Sequence, residues 1–309
     1  MTRVVFCAGQ TDPSRWVEGL ARLLPEFQVE VFDPRSSGRA DYAVVWAPPA
    51  ALFDTECALK AIFNLGAGID ALMRMPNLPK DIPVVRLGDA GMSVQMAEYV
   101  CHAVIRHTRE LDLFESASRS GQWAFRKPTI RSHYPVGIMG LGAIGARVAQ
   151  ALIEFEYPVR GWSRTAKNLP GVTCYSGAAG LDPFLRSCRI LVCVLPLTPE
   201  TESILNRENL TKLIDGAYLI NVARGAHLVD ADLLALLESG QLTGATLDVF
   251  REEPLPAGHP FWSHPRIVMT PHISARTLRE ASLAQIAGKI EQLERGLPIE
   301  GIVDRKRGY

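Results

Sequence analysis

The sequence predicts an α/β protein made of two doubly wound parallel-sheet domains, and three observations carry that prediction. Short β-rich runs alternate with helical patterns over most of the chain. The alternation breaks once, at a long helical stretch and a polar, aromatic segment, and then starts afresh. The length, 309 residues, exceeds what one ordinary core fills, and an apolar content of 47% suffices for two.

In order, the first series reads RVVFCAG, QVEVFDP, YAVVWAPP, AIFNLGAG and IPVVRLGD. A helix follows from Ser93 to about Ser118, with Met96, Val100, Ala103 and Val104 on one face. SGQWAFRKPTIRSHYP then forms the crossing to a second series: PVGIMGL, YPVRGWSR, CRILVCVLPL, GAYLINVA, LTGATLDVF and PRIVMTPHIS. Asp230 is placed to cap a helix carrying Leu233, Leu234 and Leu237, and Gly240 to end it. A last helix over about 275–295 precedes EGIVDRKRGY, a tail expected to pack back on the first domain and make it discontinuous.

Charge and cysteine usage narrow the function. With 33 basic and 33 acidic residues the chain has no net charge, which argues against a nucleic acid or an anionic membrane as partner. No apolar run approaches the roughly 20 residues that span a bilayer. MTRVVFCAGQTD lacks the pattern of a signal peptide, so the cytoplasm is the expected compartment. Cys7, Cys57, Cys101, Cys174, Cys188 and Cys193 have no metal-ligand spacing and are expected to be reduced, mostly buried thiols.

The chemistry begins at VGIMGLGAIGARVAQALIEF, residues 136–155. A lone GxGxxG is a weak signal, but this one follows an apolar strand and opens a helix with Ile144, Val148, Leu152 and Phe155 on one face. In such a setting Gly140 allows a tight turn, Gly142 lets backbone approach a pyrophosphate, and Gly145 lets helix pack on strand. Leu141, Ala143 and Ile144 complete the loop, whose amides face the phosphates. An acidic residue usually ends the next strand and binds the ribose hydroxyls, whereas this chain has Trp162, Ser163 and Arg164. A guanidinium in place of a carboxylate favours a 2′-phosphate, hence NADPH over NADH, with NADH still usable.

Three later strands end in INVARG, LDVFREEP and TPHIS, and ligands of open parallel sheets sit outside the carboxyl ends of strands. Arg224, Asp248, Glu253 and His272 are thus aimed at one crevice. Reduction of a 2-keto acid needs its carboxylate held, its carbonyl polarised and a proton delivered. Arg224 can do the first two, and His272 the third. A carboxylate beside the ring, Glu253, would favour its charged form.

These pieces resemble, in order and spacing and over nearly the whole chain, the D-isomer-specific 2-hydroxyacid dehydrogenases. ADYAVVWAPP, NLGAGID, WSRTAK, GAYLINVARG, DVFREEPLP and VDRKRGY are similar to a short group within it that reduces glyoxylate and hydroxypyruvate. The resemblance implies a Rossmann cofactor domain, residues 96–275, inserted into a smaller flavodoxin-like substrate-binding domain, residues 1–95 and 276–309. It implies a homodimer built largely on the cofactor domain and its connecting segment. Arg224 would bind the keto acid, His272 donate the proton and Glu253 partner it. Ala67 and Gly68 would hold the carboxylate, and Trp46 line the pocket. Leu195, Pro196 and Ala223 would lie along the cofactor, with Asp248 near its nicotinamide end. Where many relatives carry an asparagine and a basic residue this chain has GDAGMSVQMAEY, so Met92 is expected to shape the pocket. Two other readings fit the same fold: an NAD(P)H-binding redox sensor of the corepressor kind, and a dehydrogenase of another acid such as phenylpyruvate or phosphoglycerate.

Overall fold

The structure is a computed structural model that describes residues 1–9, 12–35, 38–66 and 68–305. In chain order its elements are β1 (Arg3–Ala8), α1 (Ser14–Leu23), β2 (Gln28–Val31), β3 (Tyr42–Trp46), α2 (Ala51–Thr55), β4 (Ala61–Asn64), α3 (Asp70–Met73) and β5 (Val84–Arg86). There follow α4 (Met92–Thr108), α5 (Leu111–Arg119), β6 (Val136–Met139), α6 (Ala143–Glu154), β7 (Val159–Ser163), β8 (Val172–Ser176), α7 (Gly177–Arg186) and β9 (Ile190–Cys193). The chain continues through α8 (Arg207–Leu210), β10 (Ala217–Asn221), α9 (Asp230–Glu238), β11 (Leu242–Leu247), β12 (Ile267–Met269) and α10 (Arg279–Glu294). It divides into two compact units, one of Met1–Met92 with Arg276–Tyr309, the other of Ser93–Ala275.

The first unit holds a five-stranded parallel sheet in the order β2-β1-β3-β4-β5. Leu20 and Leu24, with Leu283, Ile286 and Ile290 of α10, cover one face over Val4, Phe6, Val44 and Phe63. Leu52, Phe53, Ile69 and Leu72 cover the other over Val5, Ala43, Val45 and Ile62. Burial on both faces is why the inner strands β1, β3 and β4 read as continuous apolar runs, whereas the edge strand β2, QVEV, alternates. The C-terminal segment returns to this unit: Ile302 bridges Val85, Val303 N donates to Val84 O at 2.8 Å, and Arg305 donates to the Pro79 and Ile82 carbonyls. The last residues of VDRKRGY, 306–309, lie outside the described residues.

The second unit holds a seven-stranded parallel sheet, β12-β11-β10-β9-β6-β7-β8. Val100, Val104, Val148 and Leu152 seal one face over Val136, Ile138, Ile190 and Ile220. Phe184, Leu185, Leu233 and Leu237 seal the other over Met139, Leu191, Leu219 and Leu247. Each such side chain contributes about 1.5–3 kcal/mol by leaving water. Both sheets reverse strand order at their centre, as doubly wound folds do, and the fold class read from the sequence holds.

Several local expectations give way. The long helix is two helices: Glu110 takes φ 53° and the chain turns there. Helix α5 buries none of its residues, so no packing force carries the α4 direction onward. Asp230 does not cap α9. Val229 takes the cap position, and the Asp230 carboxylate lies 3.4 Å from His259 Nε2. Gly240, at φ 81°, does end that helix. Strand β8, at the sheet edge, went unforeseen because VTCYS is only half-buried and lacks an apolar run. Phe155 is exposed, and α6 packs instead through Gly145, Val148, Ala149 and Leu152.

Candidate active site

The register of the second sheet aligns one row of residues across its carboxyl edge: Trp162, Met139, Cys193, Asn221, Leu247 and Met269. Arg164, Gly140, Leu195, Arg224, Asp248 and His272 each follow a member of that row by one to three residues. The switch point falls between β6 and β9, where loops leave in opposite directions and open a crevice.

The glycine loop fits a dinucleotide. Gly140 has φ 107°, which a residue with a β-carbon rarely adopts, and a β-carbon at Gly145 would stand 1.8 Å from Gly140 O. Gly142 differs: a β-carbon there would meet nothing within 4 Å, so no protein atom requires this glycine. Open space beside the first turn of a helix with no side-chain cap is what a pyrophosphate needs. Leu141 is buried, Ala143 exposed and Ile144 half-buried. Trp162 turns its ring into the core and donates its indole N–H to Gly177 O, so only its backbone serves the loop, accepting from Gly140 N at 2.8 Å. Ser163 is buried with its hydroxyl on Thr165 O, and Arg164 is the first exposed residue beyond β7.

His272 and Glu253 meet directly, Nδ1 to Oε2 at 2.8 Å. An ionised carboxylate only accepts, so Nδ1 carries the hydrogen and Nε2 is the nitrogen left to act. The other oxygen, Oε1, accepts from Phe250 N at 2.9 Å, which fixes the carboxylate that orients the ring. His272 itself sits at φ 53°, an unusual conformation for a residue with a side chain. Asp248 holds it there. This fully buried carboxylate accepts from Thr270 Oγ1 (2.5 Å), Ile273 N (2.8 Å) and Ser274 N (2.8 Å), while its carbonyl accepts from His272 N (2.8 Å). Both Asp248 oxygens are thus committed to the turn.

Arg224 stands half-buried at the head of a short turn after β10, its Nη1 on Ala223 O at 2.7 Å. His227, wholly buried, supports that turn: Nδ1 lies 3.2 Å from Arg224 N and Nε2 3.3 Å from Pro196 O. Asn221 braces it from β10, donating to Arg224 O and accepting from Ala223 N. Arg251 reaches over from the β11 side to Leu228 O, Ala226 O and Ser203 Oγ. None of these supports was foreseen. His227 and Arg251 lie outside the quoted motifs or look like ordinary loop charges until the fold brings them together. Leu195 and Ala223 are buried, and Pro196 is exposed beside them.

In the first unit, Trp46 ends β3 and is 42% exposed, its ring lying on Gly66, where a β-carbon would come within 2.1 Å of the indole. Buried Asn64 donates to the carbonyls of Gly66 (2.8 Å) and Gly68 (3.1 Å) and shapes that loop. Ala67 lies outside the described residues. Met92 opens α4 and is half-buried.

Comparison with known proteins agrees with this geometry. The family described as D-isomer specific 2-hydroxyacid dehydrogenase, NAD binding domain, matches residues 101–274. The chain is 42% identical to glyoxylate/hydroxypyruvate reductase A of Yersinia enterocolitica over 99% of both proteins. A D-isomer specific 2-hydroxyacid dehydrogenase from Xanthobacter autotrophicus, solved with NADPH and MES, is 40% identical with a TM-score of 0.93, over 100% of this chain and 99% of that one. An NADPH-dependent glyoxylate/hydroxypyruvate reductase from Sinorhizobium meliloti, solved with NADP and sulfate, is 36% identical with a TM-score of 0.94, over the whole of both chains. Sheet order, glycine loop and matched sequence together place this chain in the D-isomer specific 2-hydroxyacid dehydrogenase family.

Proposed function

We propose that this protein reduces small 2-keto acids, glyoxylate to glycolate and hydroxypyruvate to D-glycerate, with NADPH. The observation that carries the reading is the His272–Glu253 pair, in loops that leave the same strand-end row as the glycine loop. The relatives named for these two substrates, similar over 99% of the chain, support the substrate class.

NADPH supplies the hydride when bound, and Gly140, Gly142 and the α6 amides would hold its pyrophosphate, with Arg164 at the 2′-phosphate. Arg224 binds the substrate carboxylate and polarises the carbonyl through its planar fork. His272 Nε2 gives its proton to the carbonyl oxygen as that becomes a hydroxyl, and Glu253 keeps the ring aimed. Trp46, Ala67 and Gly68 take the substrate contacts that the family resemblance implies. Leu195, Pro196 and Ala223 contact the cofactor.

The same reading makes the protein a homodimer in the cytoplasm. Support for the dimer is that α5 buries nothing and that Trp123 and Phe125, just beyond it, are 100% and 85% exposed. Support for the compartment is that all six cysteines are free thiols.

The test follows NADPH absorbance with purified protein and glyoxylate, hydroxypyruvate, pyruvate, phenylpyruvate and, in reverse, phosphoglycerate, with NADH in parallel. Fast oxidation of NADPH with the two small acids is expected. Tight NADPH binding with no turnover on any acid would replace the reductase by a redox sensor.

A further inference from the structure

We propose that Tyr99, on α4, is a positioning residue for His272, acting through a chain of hydroxyls that ends on Asp248. The proposal rests on the reading of His272 as proton donor.

Tyr99 Oη lies 2.5 Å from Thr270 Oγ1, and Thr270 Oγ1 lies 2.5 Å from Asp248 Oδ1. Chemistry sets the direction of this chain. The Asp248 carboxylate accepts, so the Thr270 hydroxyl hydrogen points to it, and Thr270 Oγ1 must in turn accept from Tyr99. Burial, with the Asp248 charge adding to it, pushes the Tyr99 phenol up to about 12, so it keeps the hydrogen it donates.

This chain matters because it braces Asp248, the anchor on which the His272 turn hangs. Ile273, 42% exposed, and buried Ser274 border an open cavity of about 330 Å³, also lined by Gln95, Glu98, Tyr99 and His102, so Ile273 is packed on one side only. The φ of 53° at His272 is kept by hydrogen bonds that converge on Asp248. Thr270, two residues before His272, both receives from Tyr99 and gives to Asp248. It therefore ties the turn and its anchor to the long helix α4. Loss of the Tyr99 donor leaves Thr270 free to rotate away from Asp248 and lets the turn relax. The imidazole then spends less time within reach of the carbonyl oxygen.

The experiment compares Tyr99→Phe, Thr270→Val, the double variant and Thr270→Ser with the parent. It reads kcat, its pH profile, the Kd for NADPH and the melting curve. Tyr99→Phe keeps the ring and its packing and removes one oxygen, so a folded variant is read directly. Positioning predicts that Tyr99→Phe and Thr270→Val each lower kcat about tenfold with NADPH affinity unchanged. It also predicts that the pH profile of kcat differs from the parent's. The double variant should be no worse than Thr270→Val, because a broken chain cannot be broken twice, and Thr270→Ser should recover most of the loss. A Tyr99→Phe variant with parental kcat and pH profile, whatever its melting temperature, overturns the proposal, as does a double variant whose losses multiply. His272→Gln run alongside separates the two levels. If it keeps parental turnover, the proton-donor reading itself falls; if it is inactive while Tyr99→Phe is unaffected, only the role of Tyr99 falls.

Discussion

A β-carbon placed on Gly225 would stand 1.8 Å from the carbonyl carbon of Phe250 and 2.1 Å from its oxygen. The turn carrying Arg224 is therefore in backbone contact with the turn that leads to Glu253. The glycine of NVARG is there to let two loops of the site touch.

Gly225→Ala should accordingly separate those loops. Backbone has to move to admit the methyl group, which costs about 1–3 kcal/mol of stability and displaces Arg224. Denaturant unfolding and keto acid kinetics on one preparation check this. The expected result is a lower midpoint together with kcat/KM reduced about tenfold or more. Parental values for both would show that the contact is not needed.

Glu253→Gln tests the orienting pair with little change of shape. The carboxylate accepts at both oxygens, from Phe250 N and from His272 Nδ1. A carboxamide has one accepting end, so one of those two donors must face an NH2 group. We expect kcat to fall about ten- to a hundredfold, with NADPH affinity unchanged. Steady-state kinetics beside a binding titration give the answer, and a kcat within about twofold of the parent would remove Glu253 from the mechanism.

Arg164 should set the choice of coenzyme. It is the exposed residue immediately after β7, where carboxylates of NAD-binding proteins sit. Arg164→Ala should raise KM for NADPH about tenfold or more while leaving KM for NADH nearly constant. An equal change for both coenzymes would reassign it to the surface.

Stability should fall in mild acid because of His107. Its ring stacks on Tyr218 with centroids 4.0 Å apart, and burial holds its pKa down to about 4, against 6.5 for the ordinary group. The folded value lies below the unfolded one, so the contribution is whole above about pH 6.5 and drains away as the pH falls towards 4. A shift of that size corresponds to about 3 kcal/mol. His107→Phe should flatten the dependence of unfolding free energy on pH across that window, and an unchanged slope would shift the cause elsewhere.

How much of this could be read beforehand follows from where each residue gets its meaning. Gly140, Arg224, Glu253 and His272 stand just beyond β-rich runs, and a parallel sheet sends every such loop to one edge, so their convergence was legible. Asp248 was legible as a residue of the same strand-end edge but not as the anchor of the His272 turn, since that depends on which amides fold over it. His227, Tyr99 and Gly225 were unread for a similar reason: each acts on a segment distant in sequence or through a backbone contact that no periodicity encodes. The break at Glu110 escaped because neither proline nor glycine marks it, and the Asp230 cap failed because His259, 29 positions on, competes for the carboxylate.

The most direct test of the account is His272→Gln, assayed for glyoxylate turnover and for NADPH binding in the same preparation. Glutamine has no titrating nitrogen, so the account predicts kcat lowered by about a hundredfold or more with the Kd for NADPH unchanged. Turnover near the parental rate with NADPH bound would contradict it, because the proton would then come from a group other than the one Glu253 holds in place.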